Sequence, residues 1–365
     1  MPLDPASPRF ARQRILAGFG DGQVALAGAH VLVIGAGGLG SAVLPLLAAA
    51  GVGILTVVDD DTVAESNLHR QTLHTGGDLT RNKAASAAEA LRSLSPDAEI
   101  RAVETRFEAG KTFDLLLDVD VLVDATDNPA TRYLANDAAT IRGIPLVWGS
   151  ALAYAGQVGV AWDEKGVDYR DLFPEDPRGG ETGDTCDVVG VLPSVCGVIG
   201  AMMASEVLKL LTGVGEPLLG RVAAYDALTG RTREIEYRRD PEAPRPGSLE
   251  ERTAPPVEAP TRTITPEELR DALAGPTPPV LLDIREPWEA ELVQIPGSVF
   301  IPMSHIPERV GELDSDVETV VYCHHGVRSA RVLEYLEQVG FTEARHLSGG
   351  VDAYAAKADA SLARY

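Results

Sequence analysis

Two sets of residues in this sequence have the types and spacing to do chemistry. The first opens with Gly35-Ala36-Gly37-Gly38-Leu39-Gly40, directly after the apolar run Val31 to Ile34. Gly35, Gly37, Gly38 and Gly40 let the backbone turn tightly and let a phosphate approach its N–H groups closely. A second apolar run, Leu55 to Val58, ends in Asp59. About twenty residues after the glycines is where a strand–loop–helix–strand unit puts the acid that holds a ribose hydroxyl. The second set is Cys323-His324-His325-Gly326-Val327-Arg328-Ser329-Ala330, at the end of a run predicted as a strand over Val320 to Cys323. A cysteine there, followed by a tight loop that opens a helix, has backbone N–H groups wrapped around its sulfur. Those donors and the helix dipole stabilise a thiolate or persulfide anion.

The glycine signature alone points first to a dinucleotide dehydrogenase. Its continuation points elsewhere. Asp59-Asp60-Asp61-Thr62-Val63 is followed by Ser66-Asn67-Leu68-His69-Arg70-Gln71. An NAD site has no need of an asparagine and an arginine just after the ribose acid. A triphosphate does, because it needs hydrogen-bond donors and a guanidinium. No GxxxxGK[ST] run is present, which excludes a P-loop. Helical spacing of Ala84, Ala87, Leu91 and Leu94 predicts a helix over Arg81 to Leu94, with Lys83 in its first turn beside the positive end of the dipole. A solvated, idle lysine is the plain alternative. Val119 to Val123 reads as a buried strand ending in Asp124-Ala125-Thr126-Asp127-Asn128, and ligands bind beyond the carboxyl ends of such strands. Asp127 and Asn128 also read as caps of a helix that begins at Pro129. Both readings can hold.

These residues need a scaffold, and the chain is long enough for two. Its 365 residues suit two domains, and 45% hydrophobic with 24% charged residues is the composition of a chain with a sizeable core. A net charge of −22 argues against nucleic acid or an anionic membrane as partner. No apolar run is expected to reach membrane-spanning length, the N-terminus lacks a signal-peptide pattern, and three cysteines suit a reducing cytoplasm. Residues 1–8 read as disordered, with a short helix beginning near Arg9. Residues 168–192, rich in Gly, Pro and Asp, read as a long loop that carries Cys186. A loop thiol suits nucleophilic attack, but no activating base is visible beside it, so an inert cysteine is equally consistent. Cys196 lies in the apolar helical run Pro193 to Leu211 and reads as a core residue. The expected divisions are a nucleotide-binding domain over 1–240, a proline-rich linker over 241–262 and a second α/β domain over 263–365. In the second, Thr265 and Glu268 form a capping box ahead of a helix over Pro266 to Leu273.

GAGGLG, VVDDDTV, SNLHRQ, Lys83 and ATDN together resemble the ATP-binding half of the ubiquitin-activating-enzyme superfamily, nearest the molybdopterin-synthase adenylyltransferases and the thiamine-pathway activators. The resemblance implies a Rossmann-like α/β adenylation domain that uses ATP and Mg2+. It gives Asp59 the ribose, and Asn67, Arg70 and Lys83 the phosphates. Ser66, Leu68 and His69 fall within the same nucleotide-binding motif. Asp127 becomes the transient magnesium ligand, with Asn128 helping to hold the nucleotide. Arg12 matches an arginine that reaches the ATP of the other subunit in a homodimer. Thr185-Cys186 matches a crossover-loop pair whose cysteine, in some members, holds the carrier as a thioester. One departure matters. Close relatives bind a structural zinc through two CxxC pairs; here the first pair aligns with Asp168 and Asp171, the second falls within 240–246, and none of these positions is cysteine. No structural zinc is therefore expected.

CHHGVRSA, with LLDIREPWEAELVQIPGSVFIP and HLSGGVDAYA, resembles the rhodanese-type sulfurtransferases, which implies a small α/β domain and a persulfide on Cys323. Cysteine phosphatases use a similar loop ending in arginine. Here only four residues separate Cys323 from Arg328, a ring too small for phosphate that favours one sulfane sulfur. His324 and His325 as a zinc pair is disfavoured, since adjacent loop side chains rarely converge on one metal. The fusion implies an enzyme that adenylates the C-terminal Gly-Gly carboxylate of a small ubiquitin-fold sulfur carrier, then transfers persulfide sulfur to give a thiocarboxylate. The molybdenum cofactor and thiamine pathways use such carriers, with a cysteine desulfurase or thiosulfate as sulfur donor. Conjugation of the carrier through a Cys186 thioester is the nearer alternative. An NAD-dependent oxidoreductase would leave SNLHR and the second domain unexplained.

Overall fold

The structure is a computed structural model, and it describes residues 3–174, 190–245, 247, 249, 262–324 and 326–364. The chain divides into two units, Met1–Ala254 and Pro255–Tyr365. In the first, α1 (Ala11–Arg14) and α2 (Gly22–Gly28) precede β1 (His30–Ile34), α3 (Gly38–Ala50), β2 (Ile54–Val58), α4 (Lys83–Leu94), β3 (Glu99–Val103), α5 (Ala109–Leu115), β4 (Val121–Asp124) and α6 (Pro129–Arg142). Then come β5 (Leu146–Leu152), β6 (Ala155–Ala161), α7 (Pro193–Thr212), β7 (Arg221–Asp226) and β8 (Arg231–Glu236). The strand order is β3-β2-β1-β4-β5-β6-β7-β8. The first five strands are parallel, and β6 to β8 extend the sheet antiparallel.

Every residue of β1 is buried, as a central parallel strand covered on both faces requires. Val31 and Val33 join the core under α3, whereas Leu32 and Ile34 join the core under α6. Each fully buried aliphatic side chain of this kind contributes about 1.5–3 kcal/mol relative to exposure. The order reverses direction at β1, whose neighbours are β2 and β4. Such a switch point opens a crevice between the loops that leave the two diverging strands. Here those loops are the glycine-rich turn after β1 and Ala125 to Asn128 after β4. Gly40 permits the turn: a Cβ there would lie 2.1 Å from the carbonyl oxygen of Gly35.

Three expectations need correction. Residues 3–8 are placed rather than disordered: the Asp4 carboxylate accepts the Ala6 N–H at 2.9 Å, Ser7 caps the turn Pro8–Phe10, and Phe10 is buried. Helix α7 is long and apolar enough to cross a membrane, contrary to the expectation that no run is. Its Val195, Ile199, Met203 and Val207 nevertheless lie in the sheet core, and its Glu206 and Lys209 form an ion pair at 2.5 Å. Residues 241–245, expected to begin an extended linker, are folded onto the first unit, with Ala243 buried and Arg245 paired to Asp171.

At the amino end of β1, His30 donates from Nδ1 to the Asp118 carbonyl (3.1 Å), so its Nε2 accepts from the Thr56 hydroxyl (2.9 Å). Burial, followed by the charge of Arg101, lowers its pKa. A histidine held neutral in the fold but free to protonate when unfolded contributes stability that is present above its ordinary value, about 6.5, and lost as pH falls below it. Thermal melting of the protein is expected to drop on acidification from neutral pH towards about pH 5. In His30→Gln that drop should be shallower; equal slopes would remove His30 from the cause.

The second unit holds β9 (Thr263–Ile264), α8 (Pro266–Leu273), β10 (Val280–Asp283), α9 (Pro287–Leu292), β11 (Val299–Phe300), α10 (Ile306–Arg309), β12 (Thr319–Tyr322), α11 (Val327–Gln338), β13 (Ala344–Leu347) and α12 (Gly350–Lys357). Its parallel sheet runs β11-β10-β12-β13-β9 between two apolar layers. Thr265 and Glu268 form the expected capping box on α8.

Candidate functional sites

At the switch point of the first unit lies a cavity of about 420 Å³, within the range of small-ligand sites. Gly35, Gly37 and Gly38 line one side; Asp59, Asn67, Arg70 and Lys83 line a second; Asp127 and Asn128 line a third. Asp59 is fixed by the turn it faces: its Oδ2 accepts the Ala36 N–H at 2.7 Å and its Oδ1 the Asp61 N–H at 2.9 Å. Burial raises its pKa, against the opposing Ala36 hydrogen bond and the Lys83 charge. Lys83 sits at the first position of α4, capped by Asn82, and its Nζ donates to Asp61 at 3.0 Å. The cap is tied to the site, because Asn82 Nδ2 donates to the Asp59 carbonyl. Asn128 does what its capping pattern predicts: its Oδ1 accepts the N–H groups of Ala130 and Thr131, while Asp127 before it stays exposed at the cavity edge.

Not every predicted residue reaches the cavity. Gly40, Ser66, Leu68 and His69 are not among its lining residues; His69 Nδ1 bonds the Ser66 carbonyl at 3.0 Å, outside it. Arg12 is exposed on α1 and does not line the cavity of its own chain. Cys186 lies outside the described residues. Conversely, the cavity takes in residues that motif reading did not supply. Cys196 is a core residue, as expected, but it also lines the cavity; its sulfur lies 2.9 Å from where a Gly38 Cβ would sit, and burial raises its pKa. Arg132 of α6 is buried, donating from Nε to Asp124 at 2.7 Å and from Nη2 to the carbonyls of Thr126 (2.8 Å) and Gly149 (2.7 Å). It thereby fixes the backbone just before Asp127.

The positions aligned with the zinc ligands of relatives do not suit that metal. Asp168 and Asp171 form a capping box around the turn Tyr169–Asp171. Into it comes the guanidinium of Arg245, paired with Asp171 and lying 3.7 Å from Asp168 and 3.3 Å from Asp163. The Asp240 N–H also donates to Asp171 at 2.9 Å. The site offers no thiolate and already holds a cation.

In the second unit Cys323 follows β12 and its sulfur accepts the Gly326 N–H at 3.1 Å. The loop is pinned from below by α12: the N–H groups of Val351 and Asp352 donate to the carbonyls of Cys323 and His324 at 2.9 and 3.1 Å. Gly350 is needed for that approach, since a Cβ there would lie 2.2 Å from the His324 oxygen. Arg328 is placed differently from a sulfur-binding group. Both its terminal nitrogens donate to the Glu289 carboxylate at 2.6 Å, which ties the start of α11 to α9. Beneath α9, Arg285 is fully buried against Asp283 and donates to the carbonyls of Glu289 and Val293.

Comparison with known proteins agrees with this geometry. The ThiF family pattern matches residues 10–245, and the rhodanese-like domain matches residues 265–357. The chain belongs to the ThiF family. A probable adenylyltransferase/sulfurtransferase, MoeZ of Mycobacterium tuberculosis, is 42% identical over 98% of this chain and 95% of its own length. The adenylyltransferase and sulfurtransferase MOCS3 of Arabidopsis thaliana is 34% identical over 98% of this chain and 85% of its own. A sulfur carrier protein adenylyltransferase of Thermus thermophilus is 44% identical over 65% of this chain and 89% of its own. Among solved structures, Escherichia coli MccB with ATP shares the fold at a TM-score of 0.57 and 20% identity, over 66% of this chain and 74% of that one. The ThiF and rhodanese-like units thus occur here in one chain, as in MoeZ and MOCS3.

Proposed function

We propose that the ThiF unit adenylates the C-terminal carboxylate of a small ubiquitin-fold sulfur carrier ending in Gly-Gly, and that Cys323 of the rhodanese-like unit supplies the sulfur. The observation that carries this reading is the convergence of Asp59, Asn67, Arg70, Lys83 and Asp127 on one cavity, in a chain that also holds an amide-cradled cysteine. A carboxylate is a poor electrophile. Its oxygen attacks the α-phosphorus of ATP, the α–β P–O bond breaks, and pyrophosphate leaves. Asp59 accepts from the ribose, while Asn67, Arg70 and Lys83 orient the phosphates and offset their charge. Lys83 must exchange Asp61 for a phosphate oxygen as the nucleotide enters. Mg2+ suits the exposed oxygens of Asp127 and would add charge neutralisation at the phosphates.

The terminal sulfur of the Cys323 persulfide then attacks the acyl carbon and AMP leaves with the electron pair. A thiol that cleaves the resulting acyl disulfide at the Cys323 sulfur releases the thiocarboxylate. A cysteine desulfurase or thiosulfate serves as sulfur donor. The protein acts as a cytoplasmic homodimer in which the exposed Arg12 reaches the nucleotide of the partner subunit. It carries no structural zinc, its place being taken by the Arg245 ion pairs.

ATP–pyrophosphate exchange with and without a Gly-Gly-tailed carrier tests the reading: exchange should depend on the carrier. Absence of exchange with molybdenum-, thiamine- and tRNA-pathway carriers would overturn it. Mixing Arg12→Ala with Arg70→Ala protein should restore part of the exchange that each lacks alone, because a mixed dimer rebuilds one intact site. No restoration would sink the shared site.

A further inference from the structure

Cys323 is almost wholly buried, so its thiol proton has no direct route to water when the sulfur must act as an anion. Two other buried polar side chains stand behind it. Ser329, in the first turn of α11, is fully buried with its Oγ 3.6 Å from the Cys323 sulfur. The same oxygen lies 3.0 Å from the Gly326 carbonyl and 3.4 Å from Nδ1 of His346. His346 belongs to β13, whose register sets it opposite Val321 of β12, two residues before Cys323. Three elements that the fold must bring together at the loop therefore supply a sulfur, a hydroxyl and an imidazole in line.

We propose that Ser329 is a catalytic residue and His346 the proton acceptor behind it: the Cys323 thiol gives its proton to Ser329 Oγ while the Ser329 hydroxyl gives its own to His346 Nδ1. In the resting state the hydroxyl donates to Gly326 O or His346 Nδ1 and accepts the S–H. After transfer it donates to the thiolate and accepts from the imidazolium. The Gly326 N–H remains on the sulfur throughout. With thiosulfate as donor, the thiolate then attacks the outer, sulfane sulfur, the S–S bond of thiosulfate breaks, and sulfite leaves with the bonding pair. Charge and atoms balance, and His346 returns its proton to solvent.

Burial lowers the pKa of His346, which keeps the imidazole neutral and able to accept at neutral pH. Three arginines on the surrounding elements are ion-paired elsewhere, and α11 also carries Arg331, Glu334 and Glu337. Arg345 beside it on β13 pairs with Glu318, Arg328 of α11 pairs with Glu289, and Arg262 next to β9 lies 3.9 Å from Glu337. Cys323, directly after β12, is the titratable group that Ser329 links to it.

The proposal rests on Cys323 as the sulfur-accepting nucleophile, and two probes keep the two claims apart. Persulfide formation on the Cys323 peptide is followed by mass spectrometry in the full-length protein with thiosulfate, across pH. Iodoacetamide alkylation of the same peptide reads the nucleophile without any sulfur donor. Ser329→Ala and His346→Gln should each slow both reactions at neutral pH by roughly a hundredfold, with recovery as hydroxide takes over at high pH. The double variant should be no slower than either single one. His346→Gln keeps an acceptor for the Ser329 hydroxyl and so guards against misfolding, checked by thermal melting. Neutral-pH rates like those of the unaltered protein, or an equal loss at every pH, would overturn the relay. Normal alkylation of unaltered protein with no persulfide would overturn the donor and leave the relay to the alkylation profile.

Discussion

Protein with Cys323→Ala is expected to keep carrier-dependent pyrophosphate exchange while forming no thiocarboxylate, and Asp127→Ala to lose exchange, and with it the thiocarboxylate, while still loading sulfur on Cys323. The sulfur of Cys323 is the only atom of its loop that can carry sulfane sulfur, and no neighbouring side chain among the described residues replaces it: Ser329 offers a hydroxyl and His346 an imidazole. Loss of a nucleophile of this kind lowers turnover by at least roughly a thousandfold. Asp127, at the edge of the cavity, works on developing charge at the phosphates, and its removal should cost on the order of a hundred- to a thousandfold in exchange. Independence is expected because each unit has its own sheet and apolar layers, so neither substitution disturbs the other core. Exchange of labelled pyrophosphate measures the first half, the mass of the Cys323 peptide measures sulfur loading in the second, and the mass of the carrier measures the completed transfer. Loss of exchange in Cys323→Ala would show that the halves are coupled before chemistry begins. Thiocarboxylate formed by Cys323→Ala would move the sulfur to another thiol, with Cys186 the next to test.

The parts of the sites that were legible in the sequence are those in which one short segment does the work. Gly35 to Gly40, Asp59, Lys83 and Asp127 each sit at the end of a buried strand or the start of a helix, and the apolar runs mark those ends. The Cys323 loop was legible for the same reason. Contiguity misled within Ser66 to Arg70. A tight turn over Glu65–Asn67 sends successive side chains in different directions, so Asn67 and Arg70 reach the cavity and Ser66, Leu68 and His69 do not. What stayed illegible depends on contacts between distant segments. Cys196 reaches the cavity because α7 packs on α3 opposite Gly38. Arg245 meets Asp168 and Asp171 only once the segment after β8 has come to lie beside the turn that holds them, and nothing local marks an arginine as a clasp. The link from Ser329 to His346 likewise depends on the register of β12 and β13.

Arg132 is the residue through which core stability and the nucleotide site are expected to fail together. Its guanidinium is buried between Asp124, at the carboxyl end of β4, and the carbonyls of Thr126 and Gly149. Asp124 is itself fully buried and also accepts from the N–H and hydroxyl of Thr126, at 3.0 and 2.6 Å. Arg132→Met removes the charge but keeps most of the stem, so cavity formation is small. It leaves a buried carboxylate without its cation and two carbonyls without a donor. Breaking one side of a buried pair costs about 3–5 kcal/mol, enough to remove much of the stability of an ordinary domain. Replacing both members should be far milder, because no lone charge remains. Arg132→Met with Asp124→Asn is therefore expected to recover a substantial part of the loss in urea unfolding followed on the ThiF unit, giving a large coupling energy. The chemical consequence is separate. Freed from Arg132, the Thr126 carbonyl no longer fixes the peptide before Asp127, and misplacing a phosphate-handling group by about 1 Å costs on the order of a hundredfold in rate. In the double variant, stability should return further than exchange, because Asp124→Asn relieves the lone charge without restoring the donor to Thr126. Equal recovery of both would mean that Arg132 serves the core alone.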